Sequence, residues 1–251
     1  MTFTAIIRRA LLAGLAGSAM LLGVAAHASI SLSATRLVVL EKDQEASISV
    51  RNGGAPVLVQ AWLETNASND TSDLPFAVTP PLGKIAANGQ QLMRVMYAGG
   101  DNRLPRDRES VMWLNVQEIP QSTQEENQLQ IAIRQRIKVF FRPAAIAGSV
   151  ADAPSALRWA VVQEAGRPKL KVSNPSMYHV SFNYLGLAGG KELKTPGMIA
   201  PGETRLLPGE GVATGARLSF KIINDYGGVE DYEVQLSGAS QATAAARTAA
   251  K

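Results

Sequence analysis

The chain contains no cysteine, which excludes disulfides, thiolate nucleophiles and cysteine-ligated metal centres. Histidine is almost absent as well. There are two, His27 and His179, and the first lies in an N-terminal segment read below as cleaved. A single remaining imidazole excludes multi-histidine metal sites, and any serine triad has to be built on His179. That residue sits in the alternating run YHVSFNY at 178–184, where the period of two places it on the solvent side of a strand. GxGxxG and Walker motifs are missing, and no spacing singles out a carboxylate pair for acid–base work. The expected chemistry is binding, with no catalytic residue, no metal and no cofactor.

Long apolar runs are lacking after the first 28 residues. Arg8 and Arg9 precede an uncharged apolar stretch at 10–25, and Ala26, His27 and Ala28 follow in the small-x-small pattern read by signal peptidase. That stretch of 16 residues falls short of the ~20 needed to span a bilayer. Residues 1–28 are therefore expected to be a signal peptide cleaved after Ala28, leaving an exported chain with no direct membrane insertion. Without disulfides, ordinary cores must hold it together, and about 220 residues suffice for one or two of them. Charge of one sign is also scarce. The 25 Lys+Arg against 21 Asp+Glu become 23 against 21 once Arg8 and Arg9 are gone, which argues against nucleic acid as a partner.

What the chain does have is alternation. Residues 129–142, LQIAIRQRIKVFFR, put Leu129, Ile131, Ile133, Gln135, Ile137, Val139 and Phe141 on one face. Arg134, Arg136, Lys138 and Arg142 lie on the other. Only an extended strand presents that pattern, and at roughly 3.3 Å per residue it is far longer than an ordinary strand. Such a strand at a sheet edge is a template for pairing with another chain. Shorter alternating runs recur throughout, as in Ala46-Ile48-Val50, Met93-Val95-Tyr97, Met112-Leu114-Val116 and Leu218-Phe220-Ile222. Turn clusters such as NGG at 52–54, NG at 88–89 and GGDN at 99–102 separate them. Strands without crossover helices predict antiparallel sandwiches. The small, proline-punctuated stretch at 143–156 reads as a hinge. The division expected is residues 29–147, carrying the long strand, and residues 148–238, with 239–251 a disordered tail.

These features resemble the periplasmic pilus chaperones of the chaperone–usher pathway. The likeness runs through SATR at 33–36, TPP at 79–81, LPRDRES at 104–110, NVQEIP at 115–120, QIAI at 130–133, IKVFFRP at 137–143, SNP at 173–175 and INDYGG at 223–228. Each motif alone is weak; all eight in order are specific. The resemblance implies an all-β fold of two tandem immunoglobulin-like β-sandwich domains in a boomerang arrangement. It implies that Arg36 and Lys138 hold the C-terminal carboxylate of a pilus subunit. Leu129, Ile131 and Ile133 fill a groove in a subunit that lacks its own last strand, while Val139 and Phe141 face the chain's own core. Glu109, Arg142 and Asp225 match an interdomain ion network. The short polar loop before the long strand resembles the short-loop branch of the family.

The implied partners are pilus subunits and an outer-membrane usher, and the implied location is the periplasm. An exposed apolar edge also allows a self-capping homodimer. On the residues alone two other readings stay open. One is that every odd position of the long strand lies under its own sheet. The other is an exported immunoglobulin-like adhesin or structural pilus component.

Overall fold

The computed structural model describes residues 30–65, 74–99, 104–119, 131–237, 242–243 and 245–246. The expected signal peptide, Leu129 and most of the tail lie outside the described residues. The fold is all-β, with two sandwich domains in tandem.

The first domain contains β1 (Ile30–Leu32), β2 (Arg36–Leu40), β3 (Glu45–Asn52), β4 (Val57–Glu64), β5 (Phe76–Thr79), β6 (Leu82–Ile85), β7 (Gln90–Tyr97), β8 (Ser110–Ile119) and β9 (Arg134–Arg142). One sheet runs β1-β3-β7-β5 and the other β2-β9-β8-β4-β6. The alternating runs supply the core between them: Ile48, Val50, Met93, Val95, Leu114, Val116 and Val139 are all buried. Phe141, Tyr97 and Phe76 close one end as a ring cluster, with the Tyr97 and Phe141 centroids 4.4 Å apart. The NGG turn works through its asparagine. Asn52 is buried and donates Nδ2 to the Ala55 and Ala86 carbonyls, at 2.7 and 3.0 Å, while Oδ1 accepts from Gly54.

The N-terminal segment changes sheets. β1 pairs with β3; after Ser33–Thr35 the chain resumes as β2, which runs parallel to β9 with Arg36 opposite Lys138 and Leu40 opposite Arg142. On its other side β9 pairs antiparallel with β8 from Arg134 to Phe141, and the ladder continues where the Glu118 amide donates to the Ile133 carbonyl at 3.0 Å. β9 therefore has strands on both sides only from Lys138 onward. Among the described residues, no strand pairs with residues 131–137 on the β2 side.

The second domain contains β10 (Arg158–Glu164), β11 (Arg167–Ser173), β12 (Val180–Leu187), β13 (Met198–Ile199), β14 (Thr204–Pro208), β15 (Arg217–Ile223) and β16 (Val229–Gln235). Its core is a packed set of rings, with Trp159, Phe182 and Tyr232 around Phe220 at centroid distances of 5.3, 5.4 and 5.4 Å. Two further strands come from the expected tail. β17 (Ala242–Thr243) pairs with Arg158 and Trp159, and β18 (Ala245–Ala246) with Tyr232 and Glu233. The hinge stretch holds a 3-10 turn, Val150–Asp152, and a helix of one turn, Ala153–Ala156.

Candidate functional site

The site forms where the two domains meet the unpaired edge of β9. Arg36 opens β2 and Lys138 lies opposite it on β9, so the parallel pairing puts two cations side by side. Arg36 is buried, its guanidinium 6.0 Å from the Phe140 ring, and one terminal nitrogen donates to the Ile223 carbonyl of the second domain at 2.8 Å. Its Nε is buried with no hydrogen-bond partner among the described residues. Lys138 donates Nζ to Ser181 Oγ of the second domain at 3.1 Å. Burial pushes the Arg36 pKa down, against the charges of Asp225 and Glu109. Burial, then the neighbouring Arg36, pushes Lys138 down too. Two partly desolvated cations that make no ion pair with a carboxylate among the described residues can accept an anion. Beside them lies a cavity of 140 Å³ with Phe140, Val180, Ile222 and Pro154 in its walls.

The three residues matched to an ion network meet across the domain boundary. Arg142 donates Nε to Glu109 Oε2 at 2.6 Å and makes a two-pronged contact with Asp225, one arm at 2.8 Å. The hydrogen bonds to Asp225 and the charge of Glu109 outweigh burial and hold the Arg142 pKa above its usual value. Glu109 is only 2% exposed. It spends its second oxygen on the second domain, accepting from the His179 amide at 2.9 Å and meeting His179 Nδ1 at 2.8 Å. Its own amide donates to the Met177 carbonyl at 2.9 Å.

His179 corrects an expectation. Its side chain is 5% exposed and packed 5.8 Å from the Phe140 ring, not on the solvent side of a strand. Alternation correctly turns it away from its own sandwich core, but that outer face is covered by the first domain. Ser181 was missed for the same reason. No signal within either strand marks a face covered by another domain; the one clue is an even-numbered aromatic, Phe140, on the otherwise basic face of β9.

The proposed donor residues divide. Ile131 and Ile133 are 67% and 37% exposed, so they do not lie under their own sheet. Leu129 lies outside the described residues. Ile137, Val139 and Phe141 are buried in the first domain's core. Gln135, the polar member of the odd face, donates Nε2 to the Ile30 carbonyl at 2.9 Å. Regular strand begins at Arg134, where residue-by-residue pairing with β8 starts. Among the described residues, no cluster of His, Cys, Asp and Glu forms a metal site, and no helix is long and apolar enough to cross a membrane.

Comparison with known proteins places this geometry in a family. Residues 29–147 match "Pili and flagellar-assembly chaperone, PapD N-terminal domain" and residues 152–234 match "Pili assembly chaperone PapD, C-terminal domain". A probable fimbrial chaperone of Escherichia coli, YadV, is 39% identical over 225 residues, covering 83% of this chain and 90% of that protein. The chaperone protein FimB/FhaD of Bordetella pertussis is 36% identical over 244 residues, covering 92% and 98%. The crystal structure of YadV superposes with a TM-score of 0.71 at 36% identity, over 83% of this chain and all of that one. So does the SafB chaperone structure in complex with the SafA pilin from Salmonella enterica, with a TM-score of 0.71 at 30% identity, covering 83% and 96%.

Proposed function

The chain belongs to the PapD-type pilus-assembly chaperones, a non-enzymatic family, and from that premise we propose that it captures pilus subunits in the periplasm by lending them the free edge of β9. The observation that carries the reading is the lane that β2 leaves empty. β2 starts at Arg36 opposite Lys138, and the edge of residues 131–137 upstream of that point is unpaired among the described residues. A guest strand in that lane continues the line of β2 backwards. It runs parallel to β9, and its C-terminal carboxylate ends against Arg36 and Lys138. Main-chain hydrogen bonds then supply affinity and the carboxylate fixes the register.

Leu129, Ile131 and Ile133 are the side chains lent to the guest's open core. Burying three such groups contributes on the order of 5–8 kcal/mol before the costs of association. Glu109, Arg142 and Asp225 hold the angle between domains 29–147 and 148–238, and with it the position of Ser181 and the Ile223 carbonyl behind the two cations. The subunit is then passed to an outer-membrane usher.

The test is the double variant Ile131→Ser, Ile133→Ser, co-expressed with a pilus subunit from the same organism. The expected result is a folded chaperone whose yield of co-purified subunit falls at least tenfold, consistent with losing about 2 kcal/mol or more of burial. An unchanged yield contradicts strand donation by these residues.

A further inference from the structure

The donor strand carries a second pattern that strand donation leaves unused. On the face opposite the odd side chains, Arg134 and Arg136 stand beside the empty lane, and the anchor Lys138 continues their row where β2 begins. They are held there by aromatic rings. The Arg136 guanidinium lies 4.4 Å from the centroid of Trp113, Lys138 Nζ lies 5.8 Å from the same ring, and the Arg134 guanidinium lies 6.0 Å from Trp62. Glu64 ties the group together, accepting from Trp62 Nε1 at 2.8 Å and reaching Arg136 at 3.6 Å. With Lys138 set aside as the anchor, Arg134 and Arg136 face the one carboxylate of Glu64, which leaves a positive excess, and both are exposed. Rings beneath the guanidinium groups limit the side-chain entropy lost when a partner arrives.

We propose that this ring-backed stripe selects subunits whose lane strand carries acidic side chains on the outer face, beside Arg134 and Arg136. The proposal rests on the strand-donation reading above. A strand in the lane has a period of two, so if its inward residues join Ile131 and Ile133, its outward residues become lateral neighbours of Arg134 and Arg136. Lateral neighbours in a sheet are about 5 Å apart, where opposite charges attract and like charges repel. A second copy of this chain laid lane to lane brings the same cations to the same face, so the charge favours an acidic guest over self-pairing.

Three eight-residue peptides with free C-terminal carboxylates test this: alternating Val-Glu, Val-Thr and Val-Lys. Each is titrated into the protein and into the variant Arg134→Glu, Arg136→Glu. The expected order on the wild type is Glu tightest and Lys weakest, with about a tenfold spread or more at low salt. The spread should shrink at about 0.5 M salt, where the screening length is a few ångström, and reverse in the double variant. Equal affinity of all three, or an order that survives charge reversal, overturns the proposal while leaving strand donation standing. Failure of all three peptides to bind the wild type counts against both readings. Equal binding of the Val-Thr peptide to wild type and to Ile131→Ser, Ile133→Ser counts against strand donation alone.

Discussion

A cation left without its counter-ion is expensive, and the cleft contains two. Arg36 and Lys138 are both partly buried, both have lowered pKa values, and neither faces a carboxylate closer than the network behind Arg36. For Lys138 the sign of the pH dependence follows. Its folded-state pKa lies below the ordinary value near 10.4, so the unfolded chain holds that proton more tightly, and the residue's contribution to stability improves as pH rises through the folded-state pKa. Capture has the opposite sign. A bound carboxylate raises the Lys138 pKa, so its contribution to affinity is complete below the free-protein value and is lost as pH rises through the bound value. Subunit affinity should therefore fall as pH rises from the free-protein pKa of Lys138 through the bound one, while the free protein keeps or gains stability. Lys138→Met should bind weakly at every pH and lose this dependence. Binding measured by titration, beside unfolding midpoints for both proteins, checks it; parallel pH dependence in the two proteins argues against Lys138 as the anchor.

At the scale of elements, most of β9 was legible in the sequence. The period of two put Ile137, Val139 and Phe141 on one face and the arginines on the other, and the structure buries that first face from Ile137 onward. It did not show where the strand loses its partner, because that depends on the N-terminal segment changing sheets between Leu32 and Arg36, a choice made by tertiary packing. The same limit hid His179. Alternation assigns a residue to a face, and neither β12 nor His179 just before it carries any mark of the domain that covers them. The ion network shows a third situation: Glu109, Arg142 and Asp225 read locally as unrelated surface charges, and only the family resemblance joined them. The NGG turn at 52–54 was legible, since buried Asn52 satisfies the Ala55, Ile85 and Ala86 carbonyls, as short amide side chains do in turns; Asn174 plays a similar part in the second domain without having been read as a turn.

At the scale of the molecule, the contacts that join the two sandwiches among the described residues are mainly polar, with the Phe140 ring packed beside His179. The bridge consists mainly of Arg142 with Glu109 and Asp225, Glu109 with His179, Arg36 with the Ile223 carbonyl and Lys138 with Ser181. Thr35 also lies against Gly227, where an added Cβ would come within 2.8 Å of its hydroxyl. Glu109→Ala leaves Arg142 half-paired and the His179 amide without its acceptor. The expected cost is about 3–5 kcal/mol, together with a broadened distribution of domain angles in small-angle scattering. Glu109→Gln, which keeps an acceptor but not the charge, should fall between. The central claim concerns the lane beside β9, and backbone hydrogen exchange across residues 131–137 tests it most directly. In the free protein, the amides there that do not pair with β8 should exchange rapidly, and they should become strongly protected in a purified complex with a pilus subunit. Slow exchange at those amides before any subunit is added, or no change there when the complex forms, contradicts the account.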